Sequence, residues 1–356
     1  MHDSQATSID RQLIFTADAD AAQIALSELQ SLDPYAELIE WLAPGIGRLA
    51  LSMSWGALTH QMRRHPPVFC RHICPVQVHV PVHKHIFEPE RLAHAALSLL
   101  PHLRAGQSFS VQTRLLGEDW SFGRYDVNTR LSEEIAAQEI APHGLPLDVR
   151  NPQQVLSAVL VEGHGYLGVS RTRDNLSAWA GGERRFRREK EQISRAEFKL
   201  LEAVELFDLT FPGEGLALDL GAAPGGWTRV LRQHGLRVIA VDPADLDARL
   251  AHDPGIEHAR ELAQNYLQHN DARYDVILND MRMDARDSAR LTLAAIERLA
   301  PHGWALMTLK LPEGQMAQVA SEALALLGQH ATIRGARQLF HNRSEITVAL
   351  GHKGGR

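Results

Sequence analysis

From Gly213 onward, short apolar runs alternate with segments whose apolar positions recur at helical spacing. The runs are residues 216–220, 238–242, 274–280 and 303–310, with helices predicted after Gly226, near Ile256 and after Ala289. Strand-helix alternation of this kind predicts a parallel sheet covered by helices on both faces. Upstream the pattern differs. Residues 12–15 read as a strand, and 21–32 as a helix carried by Ile24, Leu26 and Leu29 and closed by Pro34. A strand-rich stretch at 38–53 is split by Pro44-Gly45-Ile46-Gly47, a turn signal. A short helix at 55–64 ends at Pro66-Pro67, and 69–82 is one further strand region. This β-α-β-β-α-β order predicts a small α+β domain of the ferredoxin-like kind. A second unit starts near Glu88 with an amphipathic helix at 89–103, then an alternating strand at 108–114 and a helix at 126–138. Strand regions follow at 145–150 and 155–169, the latter punctuated like a hairpin by Gly163, Gly165 and Gly168. Residues 1–9 are predicted to be a disordered start.

Length agrees with this division, since 356 residues at ~100–200 per domain give two or three domains. Apolar residues make up 44% and charged residues 22%, enough for an ordinary core. No apolar stretch reaches the ~20 residues of a membrane span, and no charged-then-apolar export signal opens the chain. A cytoplasmic protein without a membrane partner is the expectation. The formal net charge of −6 weighs against nucleic acid, but recognition needs only a local patch. Residues 183–199 supply one, with Arg184, Arg185, Arg187, Arg188, Lys190, Arg195 and Lys199 interleaved with four glutamates. Periodicity predicts a basic lead-in helix here, either an RNA footprint or a solvated face laced by i,i+4 ion pairs. The two cysteines, Cys70 and Cys74, are too few for a disulfide framework. Histidines lie nearby, but C-x-x-x-C is not a usual zinc spacing and 76–83 alternates as a strand with one wet face, so no metal is expected.

The string from Leu216 to Trp227 is the most informative. An apolar strand reaches Asp219, and the glycine-rich turn Gly221-Ala222-Ala223-Pro224-Gly225-Gly226 feeds a helix that begins with Trp227. In such folds a ligand sits beyond the carboxyl ends of the strands, where glycines let backbone approach it. A dinucleotide enzyme would carry G-x-G-x-x-G and a helix N-terminus bare for pyrophosphate. An acid at Asp219 repels pyrophosphate but suits a cofactor bearing sulfonium and ammonium groups. S-adenosyl-L-methionine is therefore favoured over NAD. The next strand ends in Asp242, near the ~20-residue offset at which an acid meets a ribose hydroxyl. Strand-end acids that merely cap the backbone are the plainer alternative.

Ser194-Arg195-Ala196-Glu197-Phe198-Lys199 followed by Asp219-Leu-Gly-Ala-Ala-Pro-Gly-Gly-Trp227 resembles the FtsJ-type ribose 2′-O-methyltransferases, a family with a Lys-Asp-Lys-Glu catalytic tetrad. Matched motif by motif, the resemblance implies Lys199, Asp280 in Asn279-Asp280-Met281, Lys310 in Leu309-Lys310-Leu311, and Glu345 in Arg343-Ser344-Glu345-Ile346. A ribose hydroxyl is a poor nucleophile and needs a base placed to take its proton. The resemblance makes Lys310 that base. Burial and the neighbouring Lys199 cation are expected to lower its pKa, with Asp280 and Glu345 orienting both amines. The cofactor set it implies is Ser194, Asp219, Gly221, Ala223, Pro224, Gly225, Gly226, Trp227, Asp242 and Asp280. Asn265 in Ala263-Gln264-Asn265-Tyr266 stands where the family usually has an acid for the adenine amino group, and an amide oxygen can accept the same bond.

The resemblance also covers the upstream region. A ferredoxin-like domain at 1–87, a THUMP-like RNA-binding domain at 88–172 and a Rossmann-like methyltransferase domain at 173–356 are similar to the RlmM-type enzymes. It implies an RNA partner, namely large-subunit ribosomal RNA. Three alternatives remain: a ribose methyltransferase of transfer RNA, a non-catalytic RNA-binding assembly factor, and an NAD-dependent oxidoreductase. Amino-group methyltransferases carry an Asn/Asp-Pro-Pro-aromatic turn that Asn279-Asp280-Met281-Arg282 lacks. Carbon-5 cytosine enzymes need a cysteine that the catalytic segment lacks.

Overall fold

The parallel alternation predicted from Gly213 folds into a seven-stranded sheet in the computed structural model, which describes residues 11–138 and 144–354. The predicted disordered start lies outside the described residues. Two units divide the chain, 1–183 and 184–356.

In the second unit, α5 (Ala196–Leu206) precedes β9 (Leu216–Leu220), α6 (Gly226–Gln233), β10 (Arg237–Val241), β11 (Ile256–Ala259), α7 (Ala263–His269) and β12 (Tyr274–Asn279). Then come α8 (Ala285–Ile296), β13 (Leu299–Lys310), α9 (Met316–His330), β14 (Ala331–Arg337) and β15 (Glu345–His352). Strand order is β11-β10-β9-β12-β13-β15-β14. The first five run parallel, and β15 is antiparallel to both of its neighbours. The central strands are continuous apolar runs because both faces are covered: Ala217, Leu218, Val276, Ile277 and Leu278 are fully buried. Burying one such aliphatic side chain contributes roughly 1.5–3 kcal/mol. The chain winds outward from β9 through β10 to β11, then returns to β12 on the other side of β9. That reversal opens a crevice at the carboxyl ends of β9 and β12.

The first unit holds two four-stranded sheets. One contains β1 (Gln12–Thr16), β2 (Glu37–Ala43), β3 (Ile46–Ala50) and β4 (His72–Val76), antiparallel in the order β2-β3-β1-β4. Its helices are α1 (Ala22–Leu32) and α2 (Trp55–Arg64), the latter capped by the Ser54 hydroxyl, which accepts from the Ala57 N–H. The other sheet orders β5 (Val78–Val82), β8 (Gly163–Arg171), β7 (Gln154–Val161) and β6 (Phe109–Leu115). It carries α3 (Glu88–Ala96) and α4 (Arg124–Ala136).

Four local expectations differ from the structure. The single strand region at 69–82 is two strands in different sheets, separated at Gln77, whose side chain bonds the backbone of Val169. β4 is buried at every position while β5 alternates, so the chain passes there from one sheet into the next. Residues 145–150 form no strand beyond a bridge of Leu147 to Phe109, because the Asp148 carboxylate captures the N–H groups of Arg150 and Asn151 in a turn. The segment at Ile256 is a strand rather than a helix, paired in parallel with Val238–Val241 of β10. The basic lead-in is not helical before Ala196. It has no apolar stripe to pack, and its charges pair at long range, Arg184 with Glu205 on α5 and Glu189 with Arg229 on α6.

Candidate active site

Asp219 ends the apolar register of β9 and is buried. The Thr228 hydroxyl on α6 donates to it at 2.6 Å. Burial pushes its carboxyl up to about 7, with Asp280 and Asp242 adding repulsion and the Thr228 bond opposing. An acid held so near neutrality has much to gain from a cation. The turn after it needs its glycines. Gly221 has φ +75°, and a methyl group there would strike Met281, which follows the end of β12; one on Gly226 would strike the Ser194 hydroxyl. Asp242 accepts from the Ala223 N–H at 3.1 Å and from Ala244 at 2.8 Å, tying the end of β10 to the turn. The Pro224 carbonyl accepts from the Asp247 N–H at 2.9 Å, and Gly225, at φ +107°, starts α6. Trp227 is buried in the core, its indole donating to the Ala196 carbonyl at 2.6 Å, so it fastens α6 to the start of α5. Asn265 lies exposed on α7, whereas the third strand ends at Ala259. Glu261, two residues beyond that strand end, pairs with His269 at 3.0 Å.

The four residues predicted as a tetrad come together. Lys199 is on α5, Asp280 directly follows β12, Lys310 ends β13 and Glu345 begins β15. Antiparallel register sets Lys310 opposite Glu345. Lys310 Nζ donates to Asp280 Oδ1 at 2.6 Å and to Glu345 Oε2. Lys199 Nζ lies 2.5 Å from Glu345 Oε1 and 3.4 Å from both Asp280 oxygens. Two amines and two carboxylates thus share one partly buried cluster with balanced charge.

The electrostatics depart from one expectation. Burial does press the Lys310 pKa down, but Asp280 and Glu345 outweigh it and hold the amine above its ordinary value. Lys199 is present, yet both carboxylates lie between the two amines and dominate. Asp280 answers in kind: burial pushes it up, and Lys310 and Lys199 bring it below the usual carboxylate range.

Sequence reading missed the groups beneath the tetrad. Thr308, fully buried, donates to Asp280 Oδ1 at 2.6 Å and accepts from Lys310 Nζ at 2.8 Å. Its signal was available, since residues two apart on a strand share a face. Asn342, buried, donates to Glu345 Oε1 at 3.3 Å while its oxygen accepts from Leu339 N–H and the Thr347 hydroxyl. Glu202 on α5 accepts from the N–H groups of Phe340 and His341, holding the loop before β15. Glu197 accepts from Ile193 and Ser194 N–H and pairs with Arg229 at 2.7 Å. Of these last three only Glu197 has a local signal, the S-x-x-E spacing of a capping box with Ser194.

Residues 192–318 match the FtsJ-like methyltransferase family. This FtsJ-like segment contains the glycine turn and three tetrad members; Glu345 lies beyond it. The chain is also similar to proteins named ribosomal RNA large subunit methyltransferase M. It is 36% identical to that of Halorhodospira halophila over 174 residues, 48% of this chain and 50% of the relative. For Alkalilimnicola ehrlichii the match is 39% over 182 residues, 48% and 49%, and for Sodalis glossinidius 32% over 214 residues, 56% and 57%. The chain spans about half the length of the curated relatives it matches. Among solved structures, TrmN from Thermus thermophilus overlaps 96% of this chain and 99% of its own at 19% identity and a TM-score of 0.41. A Methanococcus jannaschii fibrillarin pre-rRNA processing protein overlaps 58% and 85% at 14% identity and a TM-score of 0.37. Likenesses that distant decide nothing about chemistry.

In the first unit Cys70 and Cys74 are buried, and the Cys70 thiol donates to the His72 carbonyl at 3.7 Å. Among the described residues no group of three or more His, Cys, Asp or Glu is placed to hold a metal ion, and no helix is long and apolar enough to cross a membrane.

Proposed function

We propose that this protein is an S-adenosyl-L-methionine-dependent RNA ribose 2′-O-methyltransferase acting on large-subunit (23S) ribosomal RNA. The convergence of Lys199, Asp280, Lys310 and Glu345 beside the crevice at β9 and β12 carries the reading. The names of the relatives support the choice of RNA. Asp219, Asp242 and the turn at 221–226 are the groups that would hold the cofactor, and the near-neutral carboxyl of Asp219 suits its cationic end. S-adenosyl-L-methionine supplies a methyl group on a sulfonium. The neutral Lys310 amine would take the proton of the ribose hydroxyl that receives the methyl group. Asp280 and Glu345 hold the amine in line, and Lys199 balances their charge.

For the first unit we propose a ferredoxin-like domain that ends at Gln77 rather than at 87, because β5 (Val78–Val82) pairs with β8, and a THUMP-like RNA-binding domain from β5 to 183, with the catalytic domain at 184–356 rather than from 173. The β-α-β-β-α-β order with sheet order β2-β3-β1-β4 supports the first of these.

The test is mass-spectrometric mapping of ribose methylation after the purified protein acts on 23S RNA and on transfer RNA. One new 2′-O-methyl mark on 23S RNA is expected, with turnover reduced about 10²–10⁴-fold in Lys310→Ala. A methyl group on a base, or marks on transfer RNA alone, would overturn the reading.

A further inference from the structure

Lysine as an ammonium has three N–H donors, and Lys310 Nζ meets three acceptors: Asp280 Oδ1 at 2.6 Å, Thr308 Oγ1 at 2.8 Å and Glu345 Oε2. Every proton is held. The neutral amine, which is the form that can act as a base, has two N–H groups and a lone pair. An ionised carboxylate can only accept, so Asp280 and Glu345 keep the two N–H groups. The lone pair is then left facing Thr308. A hydroxyl is the one partner here that can turn from accepting to donating. With Lys310 charged, Thr308 accepts from it and donates to Asp280 Oδ1 at 2.6 Å. With Lys310 neutral, a turn of the hydroxyl puts its hydrogen on the lone pair until the amine rotates about its Cε–Nζ bond and offers the lone pair to a ribose hydroxyl.

We propose that Thr308 is a positioning residue for the base, a hydroxyl rotor that keeps Lys310 paired in both of its protonation states. The proposal rests on Lys310 being the base named above. Its setting fits the role. Thr308 is fully buried on β13, two residues before Lys310 on the same face, and is register partner of Thr347 as Lys310 is of Glu345. It is therefore shielded from substrate and acts only through the amine and Asp280. The charged groups facing Lys310 are Asp280 after β12 and Glu345 on β15, with Lys199 of α5 across the two carboxylates.

Thr308→Val keeps the shape and removes the hydroxyl. The neutral amine loses its donor and the ammonium loses one of its three acceptors, but Asp280, freed of the hydroxyl, puts more of its charge on Lys310, and the ammonium keeps both carboxylates. Lys310 should become harder to deprotonate. At neutral pH kcat is expected to fall about tenfold, KM for RNA to stay unchanged, and the pH at which Lys310 loses its proton to rise by about one unit. Thr308→Ser should restore all three. The Lys310 midpoint is read without turnover, by the pH dependence of its acylation measured by mass spectrometry. An unmoved midpoint in Thr308→Val overturns the proposal, as does a fall in kcat that serine does not rescue. Wild-type protein that transfers no methyl group to RNA, together with a shifted midpoint in Thr308→Val that serine restores, would sink the functional reading and leave the rotor standing.

Discussion

Two buried polar clusters, one in each unit, resolve the same problem in opposite ways. Around Lys310 the polar groups stay charged, because each amine has a carboxylate within hydrogen-bond or ion-pair distance. In the first unit His72, Cys74, Gln112 and Ser157 line a small cavity between the two sheets. There burial drives the His72 pKa down to about 3 and the Cys74 thiol up to about 12, so both are neutral. His72 Nε2 and Gln112 Oε1 have no hydrogen-bond partner among the described residues. The one cation lining that cavity, Arg114, is committed to Glu183 at 2.8 Å. Polarity alone therefore does not mark a working site. Buried charge that the fold takes trouble to keep is the better marker.

The strongest way to break this contrast is to unbalance the charged cluster. Asp280→Asn leaves two lysines facing Glu345 alone, and it should abolish methyl transfer and destabilise the second unit by about 3 kcal/mol in urea melts. Stability and turnover close to wild type would show that the pairing is decorative. Next in size is the pH dependence. Asp280 and Glu345 hold Lys310 above its ordinary 10.5, so the neutral amine is scarce at pH 7. The rate should climb about tenfold per pH unit between pH 7 and 9, and a plateau reached below pH 8 would exclude Lys310 as the base.

A smaller effect is expected at Asp219, whose carboxyl stands at about 7 rather than 3.8. The folded protein keeps a proton there that the unfolded chain releases, so stability falls as pH climbs from 3.8 to about 7 and stays reduced above it. Asp219→Asn should raise the Tm at pH 8 by about 4 °C while S-adenosylhomocysteine binding, followed by calorimetry, is lost. A stabilised variant that still binds would remove Asp219 from the cofactor set. The smallest change belongs to His72→Leu. Neutral His72 gives stability that is present above pH 6.5 and lost as pH falls toward 3. The leucine variant should flatten that acid limb, add at most about 1 kcal/mol and leave kcat untouched. Any loss of turnover would tie the two clusters together.

Much of this was legible before folding. The run Asp219 to Trp227 needed no tertiary information, because a strand, a glycine turn and a helix are all written at short range. The tetrad members were also found by motif, each at the end of an element. The charged stretch at 184–195 misled because i,i+4 spacing within it fits a helix as well as it fits the long-range pairs it makes with Glu205 and Arg229. Asn265 rests on position in a string alone, and the short strand at Ile256–Ala259 has too few apolar residues for its pattern to tell a strand from a helix.

Local order along the polymer was enough to dictate most strands of the second unit, where the glycine turn lies and which four side chains to watch. Convergence was settled elsewhere, by the insertion of an antiparallel β15 between β13 and β14, which lays Glu345 against Lys310. So were the hydroxyl and amide beneath them, Thr308 and Asn342. Pairing between strands depends on register across the whole sheet, and no periodicity of 2 or 3.6 residues can encode a partner 35 positions away.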